Sequence, residues 1–173
     1  EKPIFVHEFM YPMMQGYDSV AMDVDGEVGG NDQTFNMLAG RDLMAELKNK
    51  NKFVLTTKLL VDSSGAKMGK TTGNAVSLDQ TPQDMFGKVM SWGDDMIVKG
   101  LEICTRMDIS EIKKIEKELE KGGNPRDYKL ILAHEVVKTF LGDEAAEKGK
   151  EYFINTFSKK EIPTDIPELL PSK

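Results

Sequence analysis

The segment SSGAKMGKTTGN, residues 63–74, contains two lysines near a glycine, and these lysines could bind a phosphate group. Lys67 and Lys70 lie close enough in sequence for both ammonium groups to reach one polyphosphate. Lys70 and Thr71 match the end of a Walker phosphate loop, but Ser64 stands where that loop needs its first glycine. The turn residues after Thr71 also make a poor start for a phosphate-binding helix. The segment therefore favours lysine contacts over a P-loop, with ordinary surface lysines as the alternative.

A second set of polar side chains lies in a methionine-rich segment near the start of the chain. Tyr11, Gln15 and Asp18 recur at i, i+4 and i+7, so a helix would carry them along one face. A phenol, an amide and a carboxylate could together receive an ammonium and a hydroxyl, the polar groups of one amino-acid ligand. The alternative is a polar face in contact with solvent.

The segment VGGNDQ, Val28 to Gln33, places two glycines at the C-terminal end of a strand, just before the start of a helix. Open α/β sheets bind ligands at this position, because the backbone of a glycine can approach a ligand closely. The alternative is a tight turn in which Asn31 or Asp32 caps the helix.

Alternating helical and β patterns must position these groups. A helix over YPMMQGYDSVAMD with Pro12 in its first turn, a strand GEVGG, and a long helix capped by Asn31 come first. The β-branched, apolar segment KFVLTTKLLV, residues 52–61, predicts a buried strand. The order α, β, α, β indicates parallel α/β layers, although two strands make an unfinished sheet with an exposed edge.

The pattern becomes entirely helical from Thr81 onward. Glycine and proline separate five predicted helices, at 81–92, 94–107, 110–121, 125–141 and 143–157. The predicted domains are accordingly an α/β domain over 1–80, an α-helical domain over 81–160, and an extended proline-containing linker over 161–173.

Composition excludes several classes of protein. The net charge of −6 provides no global attraction for nucleic acid, and a single cysteine, Cys104, excludes an intrachain disulfide. His7 and His134 are far apart, so we expect no metal site. No apolar run approaches the ~18 residues needed to span a bilayer, and we expect a cytoplasmic protein without membrane contact. The dense apolar start, without an initiator methionine, suggests a fragment of a longer product.

Three segments, taken in order, resemble the tyrosyl-tRNA synthetases, which are class I aminoacyl-tRNA synthetases: YPMMQGYDS, VGGNDQTFNMLAGRDL and KMGKTTGNAVSL. The segments MFGKVMSWGDDM, LAHEVVKTFLGDEAAEKGKEYF and FSKKEIPTDIPE are similar to the helical domain of bacterial members. The resemblance implies the second half of a Rossmann-like, parallel-sheet catalytic domain followed by an all-α, anticodon-side domain.

The resemblance implies a tyrosine site. Tyr11 and Gln15 would bind the α-ammonium of tyrosine, and Asp18 would accept its phenolic hydroxyl. Gln33 would contact the tyrosine carboxylate near the reacting phosphate and so belongs to the catalytic residues as well.

The resemblance also implies an ATP site. Gly30 and Asp32 would hold the ribose, while Lys67, Lys70 and Thr71 would hold the pyrophosphate and act as catalytic residues. Mg²⁺ would accompany the ATP phosphates, with no metal bound by the protein alone. Two serines of the family's Lys-Met-Ser-Lys-Ser loop are replaced here, by glycine and by the hydroxyl-bearing Thr71.

The implied reaction joins tyrosine to ATP as tyrosyl adenylate and then transfers the tyrosyl group to tRNA(Tyr), in an enzyme that we expect to be a homodimer. The chain lacks the family's His-x-Gly-His signature for ATP, so we expect it to be inactive alone. One alternative is a non-catalytic half-synthetase that binds RNA or a partner protein. A P-loop hydrolase ranks last.

Overall fold

The computed structural model describes residues 3–62, 65, 66, 68 and 75–158. The chain divides into two compact units between Leu59 and Leu60, here called the N-terminal unit and the helical unit. The boundary between the two compact units therefore falls at residue 60, whereas the sequence pattern becomes all-helical at residue 81. Leu60 and Val76 pack against the core of the helical unit, which accounts for the earlier division. The predicted domain bounds at 80/81 and 160/161 stay predictions about the family's domains.

The N-terminal unit alternates helices and strands, as the sequence predicts. Its elements are α1 (Val6–Met22), β1 (Gly26–Gly30), a 3₁₀ turn (Asn31–Gln33), α2 (Thr34–Lys48) and β2 (Phe53–Thr57). The two strands pair in parallel, from Gly26 opposite Phe53 to Gly30 opposite Thr57. A parallel pair needs a crossover, and α2 provides it.

Helices α1 and α2 pack closely because glycines meet where they cross. A Cβ added to Gly16 would lie 3.0 Å from the backbone nitrogen of Gly40, which is closer than packed side chains approach. Val20 of α1 and Met37 and Met44 of α2 are buried and form the core of this unit.

The start of α1 differs from the prediction. The helix begins at Val6, so the placement of Pro12 in the first turn is wrong, and Pro12 lies inside the helix. At the true start, the backbone N–H of Phe5 donates to Glu8 Oε1 at 3.1 Å. Pro12 removes one backbone hydrogen bond, to the Glu8 carbonyl, and the helix continues on either side of it.

The start of α2 also differs. Asn31 does not cap the helix, because residues 31–33 form the 3₁₀ turn and α2 begins at Thr34. The hydroxyl of Thr34 donates to the Asn31 carbonyl at 2.7 Å and closes this turn.

The second strand is shorter and more exposed than predicted. β2 ends at Thr57, and the side chains of Phe53 and Leu55 are 63% and 54% exposed. The apolar composition of β2 indicates that a covering layer would stabilise it, but composition does not show whether such a layer is present. Within the part of the chain that the structure describes, β1 and β2 pair only with each other.

The helical unit confirms the all-helical prediction for the second half. Its elements are α3 (Pro82–Met90), α4 (Met96–Cys104), α5 (Ile109–Glu120), α6 (Pro125–Leu141), α7 (Asp143–Phe153) and a π-helical turn (Ile154–Ser158). Phe86, Leu101 and Leu132 are fully buried in its core. Asp108 caps α5, which begins one residue before the predicted start at 110, and the Asp108 carboxylate accepts from the Ser110 N–H at 2.7 Å.

Among the described helices, none combines the length and the apolar composition needed to cross a bilayer.

Candidate functional site

The turn after β1 brings the backbone into close contact with its surroundings. A Cβ on Gly30 would lie 2.6 Å from both Asp32 Oδ1 and Leu59 Cδ2. The φ angle of Gly30 is −65°, which any residue can adopt, and a Cβ here would displace the ends of two flexible side chains. Gln33 ends the same turn, and its Nε2 donates to Asp32 Oδ2 at 3.4 Å.

Asn36, in the first turn of α2, connects this turn to α1. Its Nδ2 donates to Gln33 Oε1 at 3.2 Å and to Gln15 Oε1 at 3.3 Å. The resemblance implies that Gln15 and Gln33 belong to one tyrosine site, and the Asn36 amide joins these two side chains. Sequence reasoning missed Asn36, although its position three residues after Gln33 on a helix start was a usable signal.

Tyr11 and Asp18 lie on α1 with Gln15, but their surroundings differ from those of Gln15. Tyr11 is 58% exposed and Asp18 is also exposed, whereas Gln15 is half-buried. Asp18 lines one end of a surface groove of about 600 Å³, which is otherwise apolar and formed along α1. The other lining residues are Val6, Phe9, Met10, Met13, Met14 and Tyr17. The roles of Tyr11 and Asp18 stay predictions.

An ion pair between a buried lysine and a half-buried carboxylate lies next to Gln15, and no sequence pattern indicates it. The Lys52 ammonium pairs with the Glu27 carboxylate and donates to Ser19 Oγ at 2.8 Å. Glu27 Oε1 accepts in turn from Gln15 Nε2 at 3.2 Å. Burial raises the pKa of Glu27, but its hydrogen bonds from Lys52, Gln15 and Ser19, together with the Lys52 charge, lower the pKa below 4.5.

The segment that is predicted to bind phosphate, residues 63–74, is described only in part. The carboxylate of Asp62 accepts from the Ala66 N–H at 3.0 Å, and Gly65 turns the chain with a φ of 81°. The predicted phosphate ligands Lys67, Lys70 and Thr71 lie outside the described residues.

His7 and His134 do not lie near each other in sequence, and each contacts different side chains. The ring of His7 stacks on Phe5 with centroids 5.7 Å apart. His134 Nε2 lies 2.9 Å from Glu147 Oε1, and its Nδ1 lies 3.4 Å from Glu135 Oε1. Over residues 3–62, 65, 66, 68 and 75–158, no three potential ligands among histidine, cysteine, aspartate and glutamate come together as a metal site would require.

Similarity to known sequences covers nearly the whole chain. Residues 1–158 match the model of the family described as tRNA synthetases class I (W and Y). The tyrosine–tRNA ligase of Haemophilus influenzae is 44% identical over 168 residues, which are 96% of this chain and 42% of that protein. The tyrosine–tRNA ligase of Coxiella burnetii is 42% identical over 170 residues, which are 98% of this chain and 43% of that protein.

The fold is similar to that of solved synthetases. A C-terminally truncated mitochondrial tyrosyl-tRNA synthetase from Coccidioides posadasii superposes with a TM-score of 0.63 at 25% identity, covering 86% of this chain and 45% of that one. The chain thus spans less than half the length of the curated relatives it matches. The conclusion rests on the extent of the family match, on the α/β unit with its turn over residues 29–33, and on the all-helical unit: this chain belongs to the class I tRNA synthetases of the tryptophan and tyrosine family.

Proposed function

We propose that this chain is part of a tyrosine–tRNA ligase and supplies its tyrosine site. The observation that carries the proposal is the Gln15–Asn36–Gln33 connection, which joins α1 to the turn after β1. Gln15 would receive the α-ammonium of tyrosine together with Tyr11. Gln33 would contact the carboxylate that attacks the α-phosphate of ATP.

Selection of tyrosine over phenylalanine would depend on Asp18. Its carboxylate can accept a hydrogen bond from a phenolic hydroxyl, whereas phenylalanine would leave it unpaired. Sites of this kind discriminate by about 10⁴ to 10⁵, because an unpaired polar group in a closed site costs free energy. Asp18 lies at the end of an apolar groove, which suits an aromatic ring.

The ATP contacts follow from the family. Gly30 and Asp32 would hold the ribose, and the Asp32 carboxylate lies close to the backbone of Gly30, so one ligand could contact both. Lys67, Lys70 and Thr71 would hold the pyrophosphate, with Mg²⁺ on the phosphates of the substrate. Two cations close to the developing negative charge would lower the barrier to phosphoryl transfer.

The remaining partners are also proposed from the family. The complete enzyme would act as a homodimer in the cytoplasm and transfer the tyrosyl group to tRNA(Tyr). The exposed apolar side chains of the N-terminal unit, including Phe53 and Leu55 of the sheet, support the proposal that further chain covers this unit in the complete enzyme. The isolated chain would then be inactive, because one side of the ATP site would be missing.

Pyrophosphate exchange tests these proposals directly. We would measure tyrosine-dependent exchange for the purified chain, with and without the separately expressed first half of the Haemophilus influenzae relative. Activity only on mixing is the expected result, and it should disappear when Lys70→Ala replaces the wild-type chain. Robust exchange by the chain alone would contradict the fragment proposal.

The same experiment addresses a non-catalytic role. A chain that binds tRNA(Tyr) but never supports exchange with any complementing half would favour the half-synthetase module instead. A filter-binding measurement with tRNA(Tyr) and a non-cognate tRNA separates that outcome from simple misfolding.

A further inference from the structure

A lysine ammonium lies buried between α1 and α2. Lys52 is only 3% exposed, and a Cβ on Gly40 would come within 2.6 Å of its Nζ. Glycine at position 40 therefore leaves the space that the ammonium occupies. Removing a lysine charge from water costs desolvation free energy that its attraction to a carboxylate often fails to recover, so this pair is weak evidence for stability. A role in holding neighbouring groups explains the pair better.

The partner of Lys52 determines which end of the Gln15 amide faces the ion pair. Glu27 Oε1 accepts from Gln15 Nε2, while Glu27 Oε2 contacts the Lys52 ammonium. An ionised carboxylate only accepts hydrogen bonds, so the NH₂ end of Gln15 must face Glu27 and the carbonyl end must face away. The lowered pKa of Glu27 agrees with an ionised carboxylate at neutral pH.

The same logic applies at the other end of the network. Asp32 Oδ2 accepts from Gln33 Nε2, which directs the Gln33 carbonyl toward Asn36. The NH₂ of Asn36 donates to both glutamine carbonyls. Two carboxylates thus flank three amides, and the direction of every hydrogen bond is determined. Each carbonyl oxygen retains a second lone pair for a donor such as an ammonium.

We propose that Lys52 and Glu27 are positioning residues that hold the Gln15 carbonyl oxygen as the acceptor for the primary ammonium of the bound substrate. The proposal rests on the proposed tyrosine site and adds two residues that would not touch the substrate. Lys52 holds Glu27, Glu27 holds the Gln15 amide, and the amide alone would contact the ligand.

Glu27→Gln is the sharpest test because it changes hydrogen-bonding capacity with almost no change in shape. The Lys52 ammonium would donate to the side-chain carbonyl of the new glutamine, so the NH₂ of that glutamine would face Gln15. Gln15 would then have to turn its own carbonyl toward position 27, lose the hydrogen bond from Asn36 and present NH₂ to the substrate. An NH₂ group repels an ammonium ligand, so this variant should lose ammonium recognition while remaining folded.

Binding would be measured by NMR titration of the 173-residue chain with L-tyrosine, tyramine and hydroxyphenylpropionate, which lacks the amine. Affinity for the two amines should fall about tenfold or more in Glu27→Gln, the loss expected when a hydrogen bond to a charged group is removed. Affinity for hydroxyphenylpropionate should not fall. Equal losses for all three ligands, or no loss for the amines, would overturn the proposal.

A ligand-free measurement separates this proposal from the proposed function. In the wild type, the Gln15 side-chain NH₂ signals should be ordered and shifted downfield by the carboxylate, and Lys52→Met should make them mobile. Lys50→Met is the matched control, because Lys50 pairs with Asp23 and Asp25 in the same unit. A wild-type chain with ordered Gln15 signals that binds none of the amines would refute the tyrosine site and the ammonium role together, leaving only the network. Mobile Gln15 signals in the wild type would refute the network itself.

Discussion

Asn36 Nδ2 lies 3.3 Å from Gln15 Oε1, so one side-chain amide connects α2 to the polar face of α1. The same nitrogen also reaches the turn after β1, through Gln33. Asn36 therefore links two residues of the proposed tyrosine site, and this role requires no contact with a substrate.

We expect Asn36→Ala to raise the KM for tyrosine about three- to tenfold, the range expected for one lost hydrogen bond. The KM for ATP should rise less, because Asn36 reaches the proposed ribose ligand Asp32 only through Gln33. Pyrophosphate exchange with a complementing first half measures both constants. Asn51→Ala, at an exposed position of the same unit, is the control. An equal rise in both KM values would indicate a general loss of folded protein.

We expect Asp18→Asn to reduce selection of tyrosine over phenylalanine much more than it weakens ATP binding. The new amide can still accept a hydrogen bond from tyrosine. When phenylalanine is bound, an unpaired amide costs less free energy than an unpaired carboxylate, so discrimination should fall by about tenfold or more. The ratio of kcat/KM for the two amino acids in the exchange assay measures this. Asp42→Asn, exposed on α2, is the control. Unchanged discrimination would remove Asp18 from the site.

We expect Gly16→Ala to destabilise the N-terminal unit by about 1–3 kcal/mol, because the added methyl meets the backbone of α2. Gly87→Ala in α3 is the matched control, since nothing lies within 4 Å of its Cβ. There alanine should stabilise the helical unit by about 0.5–1 kcal/mol through its higher helix propensity. Amide hydrogen exchange in α1 and α2 reports the first unit, and fluorescence of Trp92, the single tryptophan, reports the second. A neutral Gly16→Ala would contradict the close helix contact.

We expect the N-terminal unit to lose stability as the pH falls below about 4.5. The folded-state pKa of Glu27 is lowered, so its contribution is complete above the unfolded value of 4.5 and is lost as the pH falls through the folded value. Hydrogen exchange at about pH 6 and about pH 3.5 measures the difference in stability of the N-terminal unit between these pH values. This difference should shrink in Glu27→Gln and persist in the exposed control Glu46→Gln. An identical pH dependence in both variants would exclude Glu27 as its source.

Much of the local structure could be predicted from the sequence. The bounds of α6 were predicted without error, because Asn124, Pro125 and Gly142 mark its ends. The order α, β, α, β also followed from apolar periodicity. The start of α1 and the short 3₁₀ turn were missed, because helix starts depend on side-chain contacts such as that of Glu8 with the Phe5 N–H.

The sequence by itself determined the family, through the resemblance of its motifs. It also determined the order of elements and the placement of Tyr11, Gln15 and Asp18 on one helix, since local spacing dictates these. Only the tertiary structure revealed Asn36, Glu27 and Lys52 as neighbours of Gln15. Lys52 follows Gln15 by many residues, and a charged residue between two helices reads in sequence as an ordinary surface lysine. Packing of α1 on α2 at two glycines creates the space in which that charge is buried, and such contacts between distant segments have no periodic signal in the sequence.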